Sequence, residues 1–221
     1  MMSHDILPLV LYAAAFLALL AGGELVFRLA KIKAEYTRKA IHVLSALAAL
    51  GFPAFFVSHL PVLVLCVFFS LVIILSKSAG LLQSVHDVGR QSVGGYLFPV
   101  SLYGQFLLYT FLKIPDLFYA PVAVLAISDP AAGIIGMEWA RRRSFPNGKS
   151  VGGSLAFLLT SFAAVLITLA IIHRALTVQY AIASLVVALV SAIVEALSPF
   201  GSDNLLVPVA VFLTLVVCHT G

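Results

Sequence analysis

Long apolar segments dominate the sequence, and only short polar connections separate them. Hydrophobic residues make up 62% of the 221 positions and charged residues only 10%, whereas a soluble domain carries about 25% charged residues. A water-soluble globule would lack the polar side chains that its surface needs, and the same composition excludes a disordered chain. At about 20 apolar residues per bilayer crossing, the length leaves no room for a sizeable soluble domain. The sequence therefore predicts one membrane domain over residues 1–221.

Helices are the expected spanning elements, because lipid offers backbone amides no hydrogen-bond partners. A barrel would show short alternating segments in place of these long apolar runs. We therefore predict an all-α, polytopic membrane bundle of about eight transmembrane helices. The predicted spans are 6–30, 40–59, 61–76, 95–112, 117–138, 151–173, 180–198 and 205–219.

The positive charges sort to one side of this predicted bundle. The formal net charge is +4, and in a membrane protein we interpret the Lys and Arg residues as setting orientation rather than binding nucleic acid. Lys113 and Arg174 fall on the face predicted to be outside, as do both termini. The face predicted to be cytoplasmic receives Arg28, Lys31, Lys33, Arg38, Lys39, Lys77, Arg90, Arg141, Arg142, Arg143 and Lys149.

Glu24, Asp129 and Glu195 lie within predicted spans, where a charge is costly and a carboxylate is therefore a functional candidate. Glu24 lies four residues before Arg28, a spacing that predicts an ion pair on one helix face. Asp129 is followed by Pro130, which is a helix-start signal inside a span. We expect a broken helix there, with free backbone groups beside a substrate or ion. The alternative is a proline kink with Asp129 bonded to a neighbouring helix.

Two further clusters could serve an anionic ligand at the same side of the bundle. In the segment 146–154, Asn-Gly predicts a turn, Ser150 can cap the next helix, and Gly152 and Gly153 leave backbone amides accessible to a phosphate. Lys149 adds a positive charge there. In the segment 35–42, Arg38, Lys39 and His42 are spaced to share one helix face, which suits a polyanion.

The segment 195–208 completes the set of polar groups. Glu195 and Asp203 with Asn204 lie at the predicted cytoplasmic ends of two consecutive spans, and such oxygen ligands suit magnesium held together with phosphates. Cations, a phosphate-accepting helix start and several carboxylates therefore converge on one side. That combination is typical of phosphoryl transfer.

In their order and spacing these residues resemble the CTP-dependent lipid kinases, which comprise dolichol kinase, phytol kinase and yeast-type diacylglycerol kinase. They are more distantly similar to phosphatidate cytidylyltransferase. The resemblance runs from about residue 35 to residue 208. The matching positions are Arg38, Lys39, His42, Arg90, Gly94, Gly95, Pro99, Asp129, Ala132, Gly133, Gly136, Lys149, Ser150, Gly153, Ser154, Glu195, Asp203, Asn204, Leu205 and Pro208. The chain departs from the family pattern at Ser128, Gly152 and Ser202, where glycine, glutamate and an acid are usual.

The resemblance implies transfer of the CTP γ-phosphoryl group to a lipid alcohol, with Mg²⁺. The implied catalytic residues are Asp129, Lys149, His42 and Glu195. Asp129 or His42 would be the general base, Lys149 would hold the nucleotide phosphates, and Glu195 would orient the metal or Asn204. Asp129 and Asp203 would ligate the metal. The implied nucleotide-binding residues are Lys149, Ser150, Gly152, Gly153, Ser154, Arg38, Lys39, Arg90 and Asn204.

Two other functions use some of the same groups. A cytidylyltransferase would attack the α-phosphorus of CTP and release pyrophosphate. A small ion or proton-coupled transporter would use Asp129 but leave the 149–154 segment and Asp203 without a role. The expected partners are the lipid alcohol, CTP and membrane lipids; the identity of the lipid and the formation of a homodimer are left open.

Overall fold

A computed structural model describes residues 3–87, 92–138, 145 and 147–220 of the chain. Across those ranges every regular element is a helix, which confirms the predicted all-α class. The helices are α1 (Ser3–Ala30), α2 (Ala34–Ala49), α3 (Phe52–Phe55), α4 (His59–Ser78), α5 (Gln83–His86), α6 (Gly94–Leu112), α7 (Asp116–Glu138), α8 (Val151–His173), α9 (Val178–Leu197) and α10 (Asp203–Thr220).

Five of the described helices are long and apolar enough to cross a bilayer: α1, α4, α7, α8 and α9. α10 is apolar but shorter. Many large apolar side chains on these helices are exposed, such as Leu7, Leu75 and Ile171. A folded chain leaves such surfaces uncovered where lipid, rather than water, surrounds it. The protein is therefore a helical membrane protein, although the predicted count of eight spans is not confirmed.

The second predicted span, 40–59, differs most from the structure. α2 begins earlier than predicted, at Ala34, and ends at Ala49. Gly51 and Pro53 follow, and the chain forms only the short helix α3 before α4 begins at His59. A glycine near the end of a helix and a proline just after it are common stop signals, and they explain the early end of α2.

Helix α7 runs without interruption from Asp116 to Glu138, so the broken helix predicted at Asp129 is wrong. Pro121 and Pro130 both lie inside this helix. Proline is tolerated within a membrane helix when neighbouring groups satisfy the backbone near it. Here the carbonyls of Leu125 and Asp129 accept hydrogen bonds from side chains of α2.

α7 is the central helix of the bundle. In its most apolar 18-residue window, 61% of the residues are buried, compared with 11% for α1. One side of α7 packs with Phe52, Phe106 and Leu65 in a core formed with the helices before it in the chain. The other side packs with Phe157 and Val211 in a core shared with α8, α9 and α10. Asp129 therefore sits on a helix that both halves of the bundle hold in place.

Candidate active site

Lys149 lies at the centre of the polar contacts between α8, α9 and α10. Its Nζ is 2.6 Å from Oε1 of Glu195 and 2.7 Å from Oδ2 of Asp203. The same ammonium donates to the backbone carbonyl of Glu195 at 2.5 Å. The hydroxyl of Ser154, on the first turn of α8, donates to the second oxygen of Glu195. Four of the predicted site residues are therefore in direct contact, although they are distant in sequence.

The ammonium of Lys149 stays protonated because of its two carboxylate partners. Burial by itself lowers the pKa of this group, but the negative charges of Asp203 and Glu195 outweigh burial and raise the pKa above its usual value. The side chains of all three residues are largely buried. Removing one partner from a buried ion pair is strongly destabilising, so the burial of Glu195 and Asp203 depends on Lys149.

The turn before α8 is organised by Ser150, whose hydroxyl accepts a hydrogen bond from the backbone amide of Gly153. This is the helix cap that the sequence predicts. The reason for glycine at 153 is helix packing: an added Cβ would lie 2.9 Å from the carbonyl of Ala132 and 3.5 Å from the Cα of Gly136. The two glycines let α8 approach α7 closely, and they hold Lys149 near Asp129.

Asn147 is a site residue that sequence reasoning missed, since its Asn-Gly pair was interpreted only as a turn. Its side-chain amide donates to the carbonyl of Ala196 at 2.7 Å and to that of Ser198 at 3.3 Å. Its side-chain oxygen accepts from the backbone amide of Lys149. Asn147 therefore fixes the segment that carries Lys149 to the end of α9.

A second charge pair joins α2 to α7. Nζ of Lys39 lies 3.7 Å from Oδ2 of Asp129 and donates to the backbone carbonyl of the same residue at 3.3 Å. The lysine side chain crosses Gly133, where an added Cβ would collide with its ammonium and its Cε. Of the two alternatives for Asp129, the structure supports the contact with a neighbouring helix, because Lys39 of α2 lies beside it.

Arg38 and His42 accompany Lys39 on the predicted face of α2. The ring Nε2–H of His42 donates to the carbonyl of Leu125 at 2.9 Å. Arg38 pairs with Glu35 through Nη2 at 2.7 Å. Among the described residues, the buried Nε–H of Arg38 has no hydrogen-bond partner. Buried donors are nearly always satisfied in folded proteins, and a phosphate oxygen bound beside Arg38 would satisfy this donor.

These groups line a small polar cleft, whose empty space of about 330 Å³ includes space open to solvent. Asn204 is fixed at its edge, because its side-chain amide donates to the carbonyl of Gly94 at 2.9 Å. The cleft therefore unites three of the predicted clusters in one place. Its lining residues are Arg38, Lys39, His42, Ser92, Asp129, Gly201, Asp203 and Asn204.

Each predicted site residue that the structure describes can now be placed. Asp129, Asp203, Asn204, Arg38, Lys39 and His42 line the cleft, and Lys149, Glu195 and Ser154 form the adjoining ion-paired cluster. Ser150 and Gly153 support the start of α8. Gly152 lies on the first turn of α8, and a role in phosphate binding stays a prediction for it. Arg90 lies outside the described residues.

The cleft contains carboxylates, which are possible ligands of a metal ion. In the described part of the chain, no group of three or more His, Cys, Asp and Glu side chains is arranged to hold a metal. Asp129 and Asp203 supply two carboxylates to one cleft. Mg²⁺ is commonly held by one or two carboxylates together with substrate phosphates, so the two acids fit a magnesium site that a phosphorylated substrate completes.

Comparison with known proteins gives one clear relationship. The chain is 31% identical over 202 residues to phytol kinase from Synechocystis sp., and the alignment covers 89% of this chain and 85% of that protein. No model of a protein family matches the chain. No solved structure matches it either.

Proposed function

The chain belongs to the lipid kinase family that includes phytol kinase, and from this premise we propose that it transfers the γ-phosphoryl group of CTP to the hydroxyl of a lipid alcohol. The observation that carries the proposal is the polar cleft, in which Arg38, Lys39 and His42 face Asp129 and Asp203. Phosphoryl transfer depends mainly on positioning and on stabilising negative charge. A cleft with cations on one wall and carboxylates on the other suits both needs.

The proposed step is a direct displacement at phosphorus. The oxygen of the lipid hydroxyl forms a bond to the γ-phosphorus. The bond between that phosphorus and the oxygen that bridges the β- and γ-phosphates breaks. CDP leaves, and the hydroxyl proton passes to a base in the cleft. The products are a lipid monophosphate and CDP.

Arg38 and Lys39 are positioned to neutralise the transferring group. Arg38 contributes the unpartnered Nε–H, and Lys39 contributes an ammonium next to Asp129. Lys149 is 2.7 Å from Asp203, so a nucleotide phosphate that enters the cleft would find this cation at its edge. We expect Lys149 to divide its contacts between the carboxylates and the phosphates when the nucleotide is bound.

Asp129 and Asp203 would hold Mg²⁺ with the nucleotide phosphates. A bound Mg²⁺ would supply charge neutralisation on the β- and γ-phosphates. Glu195 is held by both Lys149 and Ser154, and it would fix the position of Lys149 rather than contact the ion.

Two residues of the cleft can accept the hydroxyl proton. His42 donates from Nε2 to Leu125, which leaves Nδ1 able to act as a base when the ring is neutral. Asp129 also places a carboxylate at the cleft, and the ammonium of Lys39 lies near its Oδ2. Geometry is compatible with either residue. His42→Gln removes one proton acceptor without removing a proposed metal ligand, so full activity of this variant would assign the base to Asp129.

CTP is proposed as the donor because of the resemblance of the motifs to CTP-dependent kinases. The test uses purified protein with Mg²⁺, phytol as acceptor, and each of the four nucleoside triphosphates labelled at the γ-phosphorus. We expect label in the lipid, with CTP giving the greatest rate. No labelled lipid with any of the four donors, from folded protein, contradicts the proposal.

A parallel reaction with α-labelled CTP identifies the bond that breaks. A kinase leaves the label in CDP. Label in a CDP-lipid together with released pyrophosphate would instead assign a cytidylyltransferase.

A further inference from the structure

A second, apolar cavity lies among α1, α2, α4 and α6. Its empty space amounts to about 790 Å³, which includes space open to the surroundings. Its walls are mostly large apolar side chains, among them Phe16, Leu65, Phe69, Phe98 and Leu102. Several of these residues belong to a core of buried residues, and the cavity is partly open to the surroundings.

The apolar cavity and the polar cleft meet at shared residues. Arg38, His42 and Asn204 line both of them. The ring of His42 also packs against Phe98, with 4.4 Å between ring centroids. A molecule with a polar end and a hydrocarbon chain could therefore place its polar end beside Asp129 and its chain in the cavity.

The lining residues show how far the cavity extends from the cleft. On α6 they run from Gly94 to Leu102, and on α4 from Ile73 to Leu65. At about 1.5 Å of rise per residue, each series spans roughly 12 Å along the helix axis. That length is close to half the thickness of a bilayer's hydrocarbon core, which is about 15 Å.

We propose that this cavity binds the hydrocarbon chain of the lipid acceptor and that Ser45, partway along it, helps set the acceptor chain length. The inference rests on the proposed kinase function. The acceptor hydroxyl would lie at the shared mouth beside His42, and the chain would follow α2 past Ser45 towards Phe52. Because Ser45 lies three residues beyond His42 on α2, it is about 4.5 Å further from the cleft.

Ser45→Phe tests this arrangement by filling the middle of the cavity. The matched control is Leu44→Phe, which introduces the same side chain at the neighbouring, 49% exposed position of α2. For Ser45→Phe we expect kcat/KM for a twenty-carbon isoprenoid alcohol to fall roughly ten-fold or more relative to that for a ten-carbon alcohol. Leu44→Phe is expected to keep the wild-type ratio.

Gly95→Leu is a second test. The substitution is not expected to destabilise the helix, since leucine is a better helix former than glycine. An added Cβ at Gly95 would meet only Ile73, at 4.0 Å, so a longer side chain has room to enter the cavity near its mouth. We expect a raised KM for acceptors of both lengths. The control is Gly104→Leu on the same helix, where an added Cβ would meet nothing within 4 Å.

The outcomes separate this inference from the kinase proposal. If the wild-type protein phosphorylates no lipid alcohol with any nucleotide, the proposed function fails. If the wild type is active but Ser45→Phe and Leu44→Phe have the same chain-length ratio, or Ser45→Phe loses both acceptors equally, the cavity is not the acceptor site. Unchanged KM for Gly95→Leu overturns the inference as well.

Discussion

The ammonium of Lys149 lies 2.7 Å from the carboxylate of Asp203, and this contact joins the segment before α8 to the first residue of α10. The same ammonium holds Glu195 at the end of α9. Three helix ends therefore depend on one cation, at the edge of the cleft that contains Asp129.

Lys149→Met is expected to destabilise the protein because two buried carboxylates lose their cation. Breaking a buried ion pair by removing one partner costs about 3–5 kcal/mol. The free energy of unfolding, measured in detergent, is expected to fall by that order. Lys113→Met is the control, because Lys113 is an exposed residue at the end of α6. Equal stability of the two variants would show that the ion-paired cluster does not hold these helices together.

Above neutral pH, the stabilising effect of Lys149 is expected to weaken only at the alkaline end. Its folded pKa is raised above the value of about 10.4 that an unfolded lysine has, so the contribution is complete below that pH. It decreases as the pH rises through the higher, folded pKa. The Tm difference between wild type and Lys149→Met is therefore expected to stay constant from pH 7 to about pH 10 and then to shrink. A difference that already shrinks between pH 7 and pH 9 would show that this account of the cluster is wrong.

Gly133→Ala is expected to reduce turnover without unfolding the protein. The new methyl group would occupy the place of the Lys39 side-chain end, which is flexible and can move away, but only by leaving Asp129. Displacing a catalytic group by about 1 Å can cost on the order of 100-fold in rate. We expect a loss of ten-fold or more in kcat/KM with a Tm close to that of wild type. Gly104→Ala has open space around the added methyl group and serves as the control. Full activity in Gly133→Ala would remove the contact between Lys39 and Asp129 from the mechanism.

Asn147→Ala tests the residue that positions Lys149. The substitution removes hydrogen bonds to Ala196, to Ser198 and to the Lys149 amide, and each such bond contributes about 1 kcal/mol. We expect a lower Tm and a higher KM for the nucleotide. Asn147→Asp keeps the acceptor for the Lys149 amide but has no donor for the two carbonyls, so it is expected to be no better than alanine. Nucleotide KM values equal to wild type in both variants would leave Asn147 as a simple turn residue.

Local sequence patterns predicted the features that depend on near neighbours. The cap by Ser150 and the pair of Glu24 with Arg28, 2.7 Å apart, are both observed. Arg38, Lys39 and His42 also share the region of α2 that faces the cleft, as their spacing predicts. Each of these features requires only helical periodicity over four residues or fewer.

The features that the sequence did not predict depend on contacts between distant segments. α7 continues through Pro130, and side chains of α2 bond to the carbonyls of Leu125 and Asp129 on the same stretch; no local pattern contains these contacts. The binding of a nucleotide phosphate by Lys149 stays a prediction, and the sequence did not predict that Glu195 and Asp203 set the position of Lys149. The glycines at 133 and 136 matched a family motif, and the structure adds the physical reason, which is the close approach of Lys39 and of α8.

The most direct test of the central claim is transfer of the γ-labelled phosphoryl group of CTP to phytol by wild type and by Asp129→Asn. The variant is expected to lose at least about 100-fold in kcat while it remains folded, because the cleft loses a negative charge that would hold Mg²⁺ or accept the proton. Asp116→Asn, at the other end of α7 beside His173, is the control and is expected to keep turnover within a few-fold of wild type. Labelled lipid from wild type, with almost none from folded Asp129→Asn, is the predicted result; equal turnover by wild type and Asp129→Asn would contradict the account.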